Sequence, residues 1–166
     1  ICRDIDVLRE IHANAPVLCK MTVTTTDDAL AKKIEPRAPS PTQRFDALAR
    51  LAAAGLPTCI LLMPVLPWLT DSEENIRAIV RSAKEAGVMG IYPAFGVTMR
   101  DRQRAHLYEA LDREFPGLRE KYAARYGTRY SCGVPRAKAL WHLFSTACDQ
   151  AGLFYRMRDI IRRYQR

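Results

Sequence analysis

Apolar and polar positions alternate along this chain in blocks whose period switches between that of a helix and that of a buried strand. Residues 1–13 read as a helix, with Ile1, Ile5, Leu8 and Ile11 on one face. Residues 16–24 follow as a β-branched, apolar strand with Pro16 at its start, where a strand tolerates one. A short helix is expected over 27–34. Ser40, Pro41 and Gln43 then spell an N-cap, a first-turn proline and a capping box. Behind them Phe45, Leu48, Ala49, Leu51 and Ala52 form a buried stripe, which Gly55 ends. Residues 57–63 are apolar without alternation after Thr58, the pattern of a strand covered on both faces. A helix over 72–86, capped through Thr70 with Glu73 or Asp71 with Glu74, leads to a third buried strand over 88–95.

Three strands joined by helices of this length make two βαβ units, so the sheet is expected to be parallel with right-handed crossovers. Beyond Phe95 the alternation stops. Helices are expected over 99–114, 117–126, 135–150 and 154–163, with breaks at Pro116-Gly117, at 127–135 and at Gly152. The predicted class is α/β, three parallel strands with alternating helices, followed by an all-helical extension. The division is placed at 1–97 and 98–166. A chain whose first residues already show helical periodicity is expected to be part of a longer polypeptide.

The chain has 166 residues, 48% hydrophobic and 27% charged, a globular mixture that argues against disorder. No apolar run approaches the roughly 20 residues needed to span a bilayer, so no membrane partner is expected. The net charge is +8, and residues 100–166 hold 15 Arg or Lys against 7 Asp or Glu. The excess therefore lies in the extension, where it would attract polyanions such as nucleic acid. Arg125 and Arg129 interleaved with Tyr122, Tyr126 and Tyr130 could grip a single strand by charge and stacking, although tyrosines packed inward explain the same spacing. Cys2, Cys19, Cys59, Cys132 and Cys148 are odd in number and contain no CxxC, which argues against a disulfide framework or a zinc site. Cys19 and Cys59 are expected as buried thiols in a reducing, cytoplasmic setting.

In parallel sheets the working surface lies at the C-terminal ends of the strands. Those ends read Thr24-Thr25-Thr26-Asp27-Asp28, Met63-Pro-Val-Leu-Pro-Trp68 and Tyr92-Pro-Ala-Phe-Gly96. Threonine hydroxyls there can bind sugar hydroxyls, carboxylates or phosphate, or simply cap the helix behind them. The proline-rich rim can form an apolar shelf for a flat ring, or the edge of a core. No nucleophile–base–acid set is apparent. His12, His106 and His142 lie far apart on predicted helices and show no metal spacing. No GxGxxG or Walker loop follows any strand.

One string is more specific. Glu35-Pro-Arg-Ala-Pro-Ser-Pro-Thr-Gln-Arg44 resembles the E-P-x-x-x-S-P-x-x-R signature of radical S-adenosylmethionine (SAM) proteins related to spore photoproduct lyase. In that family it lies between the fourth strand and fourth helix of a partial (β/α)6 barrel. The strand ends at 22–28, 61–71 and 91–96 resemble the fourth, fifth and sixth strands with their loops. The resemblance covers about residues 1–100 and implies half of a barrel. It implies that Thr24 and Thr26 approach the SAM ribose or methionine end, that Arg44 sits near the SAM carboxylate, that Glu35 braces the loop, and that Met63, Pro64 and Val65 line the adenine. A planar guanidinium opposite a carboxylate is sound chemistry in its own right.

The family also holds a [4Fe–4S] cluster on CxxxCxxC after the first strand. That motif is absent here, so the cluster ligands are expected upstream. The implied function is that of a fragment. In full length such an enzyme cleaves SAM reductively to a 5′-deoxyadenosyl radical, with nucleic acid as a candidate substrate, and the fragment is expected to be inactive alone. Its expected partners are the missing N-terminal half, or a second copy meeting an exposed strand edge. The alternative is a basic nucleic-acid-binding module without chemistry.

Overall fold

The computed structural model describes residues 1–165. A single 3-10 turn, Cys2–Asp4, runs into helix α1, Ile5–Asn14. Then come strand β1, Cys19–Thr22, helix α2, Asp28–Ile34, helix α3, Pro41–Ala53, and strand β2, Thr58–Leu62. Helix α4, Glu73–Glu85, and strand β3, Gly90–Pro93, complete the alternation. The three strands form one parallel sheet in the order β1-β2-β3, with Thr22 beside Leu61 and Leu62 beside Pro93.

The caps explain where the helices start. The Ser40 hydroxyl accepts from the Gln43 amide, while the Gln43 side chain accepts from the Ser40 amide, as the spacing predicts. Asp27, not Thr26, caps α2 by accepting from the Ala29 and Leu30 amides. Helix α4 is capped by Ser72, which accepts from the Asn75 amide. Thr70, expected in that role, is instead buried, and its hydroxyl accepts from the Leu66 amide to close the preceding loop.

The extension is not all-helical. Strand β4, Gly96–Thr98, pairs antiparallel with strand β5, Ser131–Gly133, and helices α5, Asp101–Glu114, and α6, Leu118–Tyr126, lie between them. Three residues are too few for a strand period to register, and Gly127, Gly133 and Pro135 make residues 127–135 read as a break. Gly96 is needed at this crossing, because a Cβ there would stand 2.7 Å from the Cys132 carbonyl oxygen.

Helix α7, Ala137–Ala151, returns to the sheet. Its Leu140, Phe144 and Cys148 share one core with Ile60, Leu62, Ile79 and Ile91, so the core runs across residue 97. Met99, Leu111, Tyr122, Tyr126 and Cys132 make a second core under α5 and α6.

A helix was expected from residue 154. Helix α8, Met157–Tyr164, starts three residues later, because Phe154 has another task. The Phe154 amide donates to Met89 O at 3.0 Å and the Ile91 amide to Phe154 O at 2.8 Å, in parallel pairing with β3. This covers the otherwise open edge of β3, whose unpaired peptide groups would invite association. Gly90 makes the approach possible, since a Cβ there would lie 2.6 Å from Phe154 O. The other outer strand, β1, pairs only with β2 among the described residues. On α1, Ile5 and Leu8 pack against Cys19, Leu51 and Leu56, whereas Ile1, Val7 and Ile11 are exposed. Among the described residues no helix is long and apolar enough to cross a membrane.

Candidate cofactor-binding rim

The string 35–44 wraps under the end of β1, and Arg44 is its anchor. Its Nε donates to Pro39 O at 2.9 Å, Nη1 to Thr22 O at 2.9 Å, and Nη2 to the Glu35 carboxylate at 2.7 Å. The side chain is only 11% exposed, against 40% for Glu35. Three directions of one rigid fork are thus spent on the loop and the strand, a geometry that lysine could not copy. The Thr42 amide donates to the Asp28 carboxylate, tying the same loop to α2 and lowering that carboxyl below its usual range.

The loop after β1 is held from the other side by Asn75, in the first turn of α4. Its Nδ2 donates to Thr24 O at 2.9 Å and Thr70 O at 2.8 Å, and its Oδ1 accepts from the Thr26 amide at 3.4 Å. One side chain therefore clamps the loops after β1 and β2 together. Sequence reasoning missed Asn75. The only signal was its place three residues after Ser72, where an amide can turn back across the helix start.

The loop after β2 is tied to the loop after β3. The Val65 amide donates to Ala94 O at 3.1 Å and the Ala94 amide to Leu62 O at 3.0 Å. Thr24 and Thr26 are half-buried, Met63 is half-buried and Pro64 is exposed at this rim. Val65 is fully buried in the main core, so its side chain forms no part of an open shelf. The structure brings Glu35 and Arg44 into direct contact, and Thr24 and Thr26 onto one clamp. Arg44 reaches Thr22 but makes no hydrogen bond to Thr24, Thr26 or the Met63–Val65 loop.

Of the two readings of the tyrosine spacing, inward packing holds for Tyr122 and Tyr126. Tyr122 and Tyr126 are buried, donating to Pro67 O and Gly133 O, and only Tyr130 is exposed. His12 accepts from the Val17 amide through Nδ1, while His106 and His142 sit on exposed helix faces.

The cysteines do not suit an iron–sulfur centre. Burial raises the Cys19 and Cys132 thiols, pushes Cys59 up to about 11 and pushes Cys148 up to about 12. A cluster draws several cysteines together, and no group of three or more His, Cys, Asp or Glu among the described residues could hold a metal. The chain's own residues therefore do not fit a [4Fe–4S] cluster.

Asp71, at the end of the β2 loop, titrates in the opposite sense to Asp28. Burial raises its carboxyl, outweighing the lowering effects of the Trp68 and Asp71 backbone amides and of Arg136. A carboxyl raised in the folded state stabilises fully below its ordinary value, and that contribution is lost as pH climbs through the raised value. Asp71→Asn is therefore expected to gain in melting temperature relative to the parent between pH 3 and pH 7. Parallel thermal melts check this, and an unchanged difference would mean that Asp71 is solvated as usual.

An uncharacterized protein of Mycobacterium tuberculosis H37Rv is 30% identical over 124 residues, 75% of this chain and 36% of the relative. An uncharacterized protein of Mycobacterium bovis gives the same values. An uncharacterized protein of Acidianus two-tailed virus is 28% identical over 105 residues, 61% of this chain and 33% of the relative. The chain spans about a third of the length of the curated relatives it matches. No family model matches the chain, and no solved structure matches it.

Proposed function

We propose that this chain is the C-terminal part of a radical SAM enzyme and that it supplies the SAM-binding rim of a barrel completed by the rest of a longer polypeptide. The observation that carries the reading is the Arg44 anchor. It ties the E-P…S-P-x-x-R string to Thr22 O, directly below the half-buried threonines at the end of β1. In this reading Thr24 and Thr26 face the ribose or the methionine end of SAM. Met63 and Pro64 give the adenine an apolar edge, with Val65 fixing that edge from within the core. Glu35 and Arg44 position the β1 end, and the guanidinium, already bonded through all three nitrogens, contributes positive charge near the SAM carboxylate. An iron–sulfur cluster held by the rest of the longer polypeptide would supply the electron for reductive cleavage of SAM. Its ligands are assigned to residues outside this chain, and the chain is assigned binding alone.

The outer edge of β1 suits the missing part. Cys19 and Val23 donate towards β2, so the alternating peptide groups of Lys20 and Thr22 face away from it. Beside that edge, α1 leaves Val7 and Ile11 exposed. A preceding parallel strand crossing over through α1 would cover both. Nucleic acid is the first substrate class to test, on the charge of residues 100–166.

The experiment is made on the full-length parent, reconstituted without oxygen. We expect about four irons per chain and formation of 5′-deoxyadenosine from SAM with dithionite. In the isolated chain we expect no turnover. A parent without iron and without CxxxCxxC would overturn the reading and leave the basic extension, as a nucleic-acid-binding module, to be tested by the salt dependence of its affinity.

A further inference from the structure

A second cleft, of about 350 Å3, opens between the β2 loop and the start of α7. Its size is that of a small-molecule site, and the SAM reading makes no use of it. Trp68 forms one wall, in a backbone conformation unusual for a bulky residue, φ 60°. Such outliers persist only where the surroundings enforce them, and they gather at binding sites. Here the enforcement is visible. Tyr122 donates to Pro67 O at 3.0 Å, and the indole packs against Tyr122 and Tyr126 at centroid distances of 5.2 and 5.9 Å. Trp68 is nonetheless 37% exposed and lines the cleft.

The opposite wall is Val134, Pro135 and Leu140. Charge decides what fits between the walls. At the exposed mouth Arg136 pairs with Glu73 at 2.7 Å, and the two neutralise each other. That leaves Asp71, which has no ion-pair partner among the described residues, so the cleft carries one net negative charge in a chain of +8.

We propose that this cleft binds a small organic cation, an ammonium or guanidinium group on an apolar body. The head sits between the Asp71 carboxylate and the Trp68 ring, and the body lies against Val134, Pro135 and Leu140. Indole is the best aromatic partner for a cation. An anion would have to displace Glu73 from Arg136 and would still face Asp71. A neutral ligand would bury the Asp71 carboxylate further without adding a counter-charge, deepening the burial that already raises its carboxyl against the lowering effect of Arg136.

Trp68 can be isolated as the reporter, because the chain has two tryptophans and Trp141→Phe removes the other. In that background, phenethylamine is expected to change the Trp68 fluorescence saturably, while phenylacetate and 2-phenylethanol at the same concentration do not. Asp71→Asn should weaken phenethylamine binding at least tenfold. Arg136→Ala, at an exposed position, should tighten it by removing a competing cation and freeing Glu73. The proposal is overturned if phenethylamine gives no saturation in the millimolar range, or if phenylacetate binds as tightly. It is overturned equally if a folded Asp71→Asn binds as the parent does, or if Arg136→Ala weakens binding. Should Asp71→Asn fail to fold, the Arg136→Ala titration decides.

Discussion

Replacing Arg44 with Ala is expected to destabilise the chain by about 2–3 kcal/mol, more than an exposed ion pair would account for. The arginine is 11% exposed and serves Pro39 O, Thr22 O and the Glu35 carboxylate at once. Truncation leaves the two carbonyls and the carboxylate without a donor, and each such loss in a partly buried site costs more than the bond itself is worth. Arg44→Lys should recover less than half of the loss, since one ammonium cannot span three divergent acceptors. Urea denaturation of the three forms tests this. A cost below about 1 kcal/mol would show that the pair behaves as an ordinary surface bridge. If the SAM reading holds, the same substitution also lowers SAM affinity in the full-length parent, because the end of β1 loses its support.

Gly90→Ala is the second large effect, and its sign is the informative part. Removing a glycine from a strand normally stabilises by about 0.4–1 kcal/mol through the unfolded state. Here an added Cβ would lie 2.6 Å from Phe154 O and 3.3 Å from the Ile160 side chain, which is itself buried. Neither can retreat without breaking the bonds between Phe154 and β3. A cost of about 2–3 kcal/mol, the scale of an overpacked site, is expected. The Ile91 and Phe154 amides should exchange with solvent much faster in the variant. A neutral or stabilised variant would mean that the 153–155 segment is only loosely laid against the sheet.

Much of the fold was legible because its signals are local. Ser40, Pro41 and Gln43 fix the start of α3 through two reciprocal bonds only three residues apart. The strand at 58–62 is apolar after Thr58 because helices cover both faces. What stayed hidden depends on contacts distant in sequence. Nothing near Phe154 announces that it pairs with β3, 64 positions away, and the flanking residues read as helix. The pairing of β4 with β5 spans two helices and six residues in all. At the rim, the motif singled out Glu35 and Arg44 but not their pairing with each other, nor the clamp by Asn75 or the left-handed Trp68. Asparagine at a helix start is commonplace, and a backbone angle leaves no mark on a tryptophan's identity.

The covered edge of β3 gives the sheet an end as well as a beginning. Strand addition to the parallel sheet is blocked on that side by a segment of the same chain, so edge-to-edge association through this sheet must use β1. With one such edge in the parallel sheet of each copy, two copies joined through it meet about a twofold axis, and that sheet offers nothing to continue the series. The Phe154 segment is thus a terminator. In this sheet it converts what would be a route to fibres into one that stops at a pair.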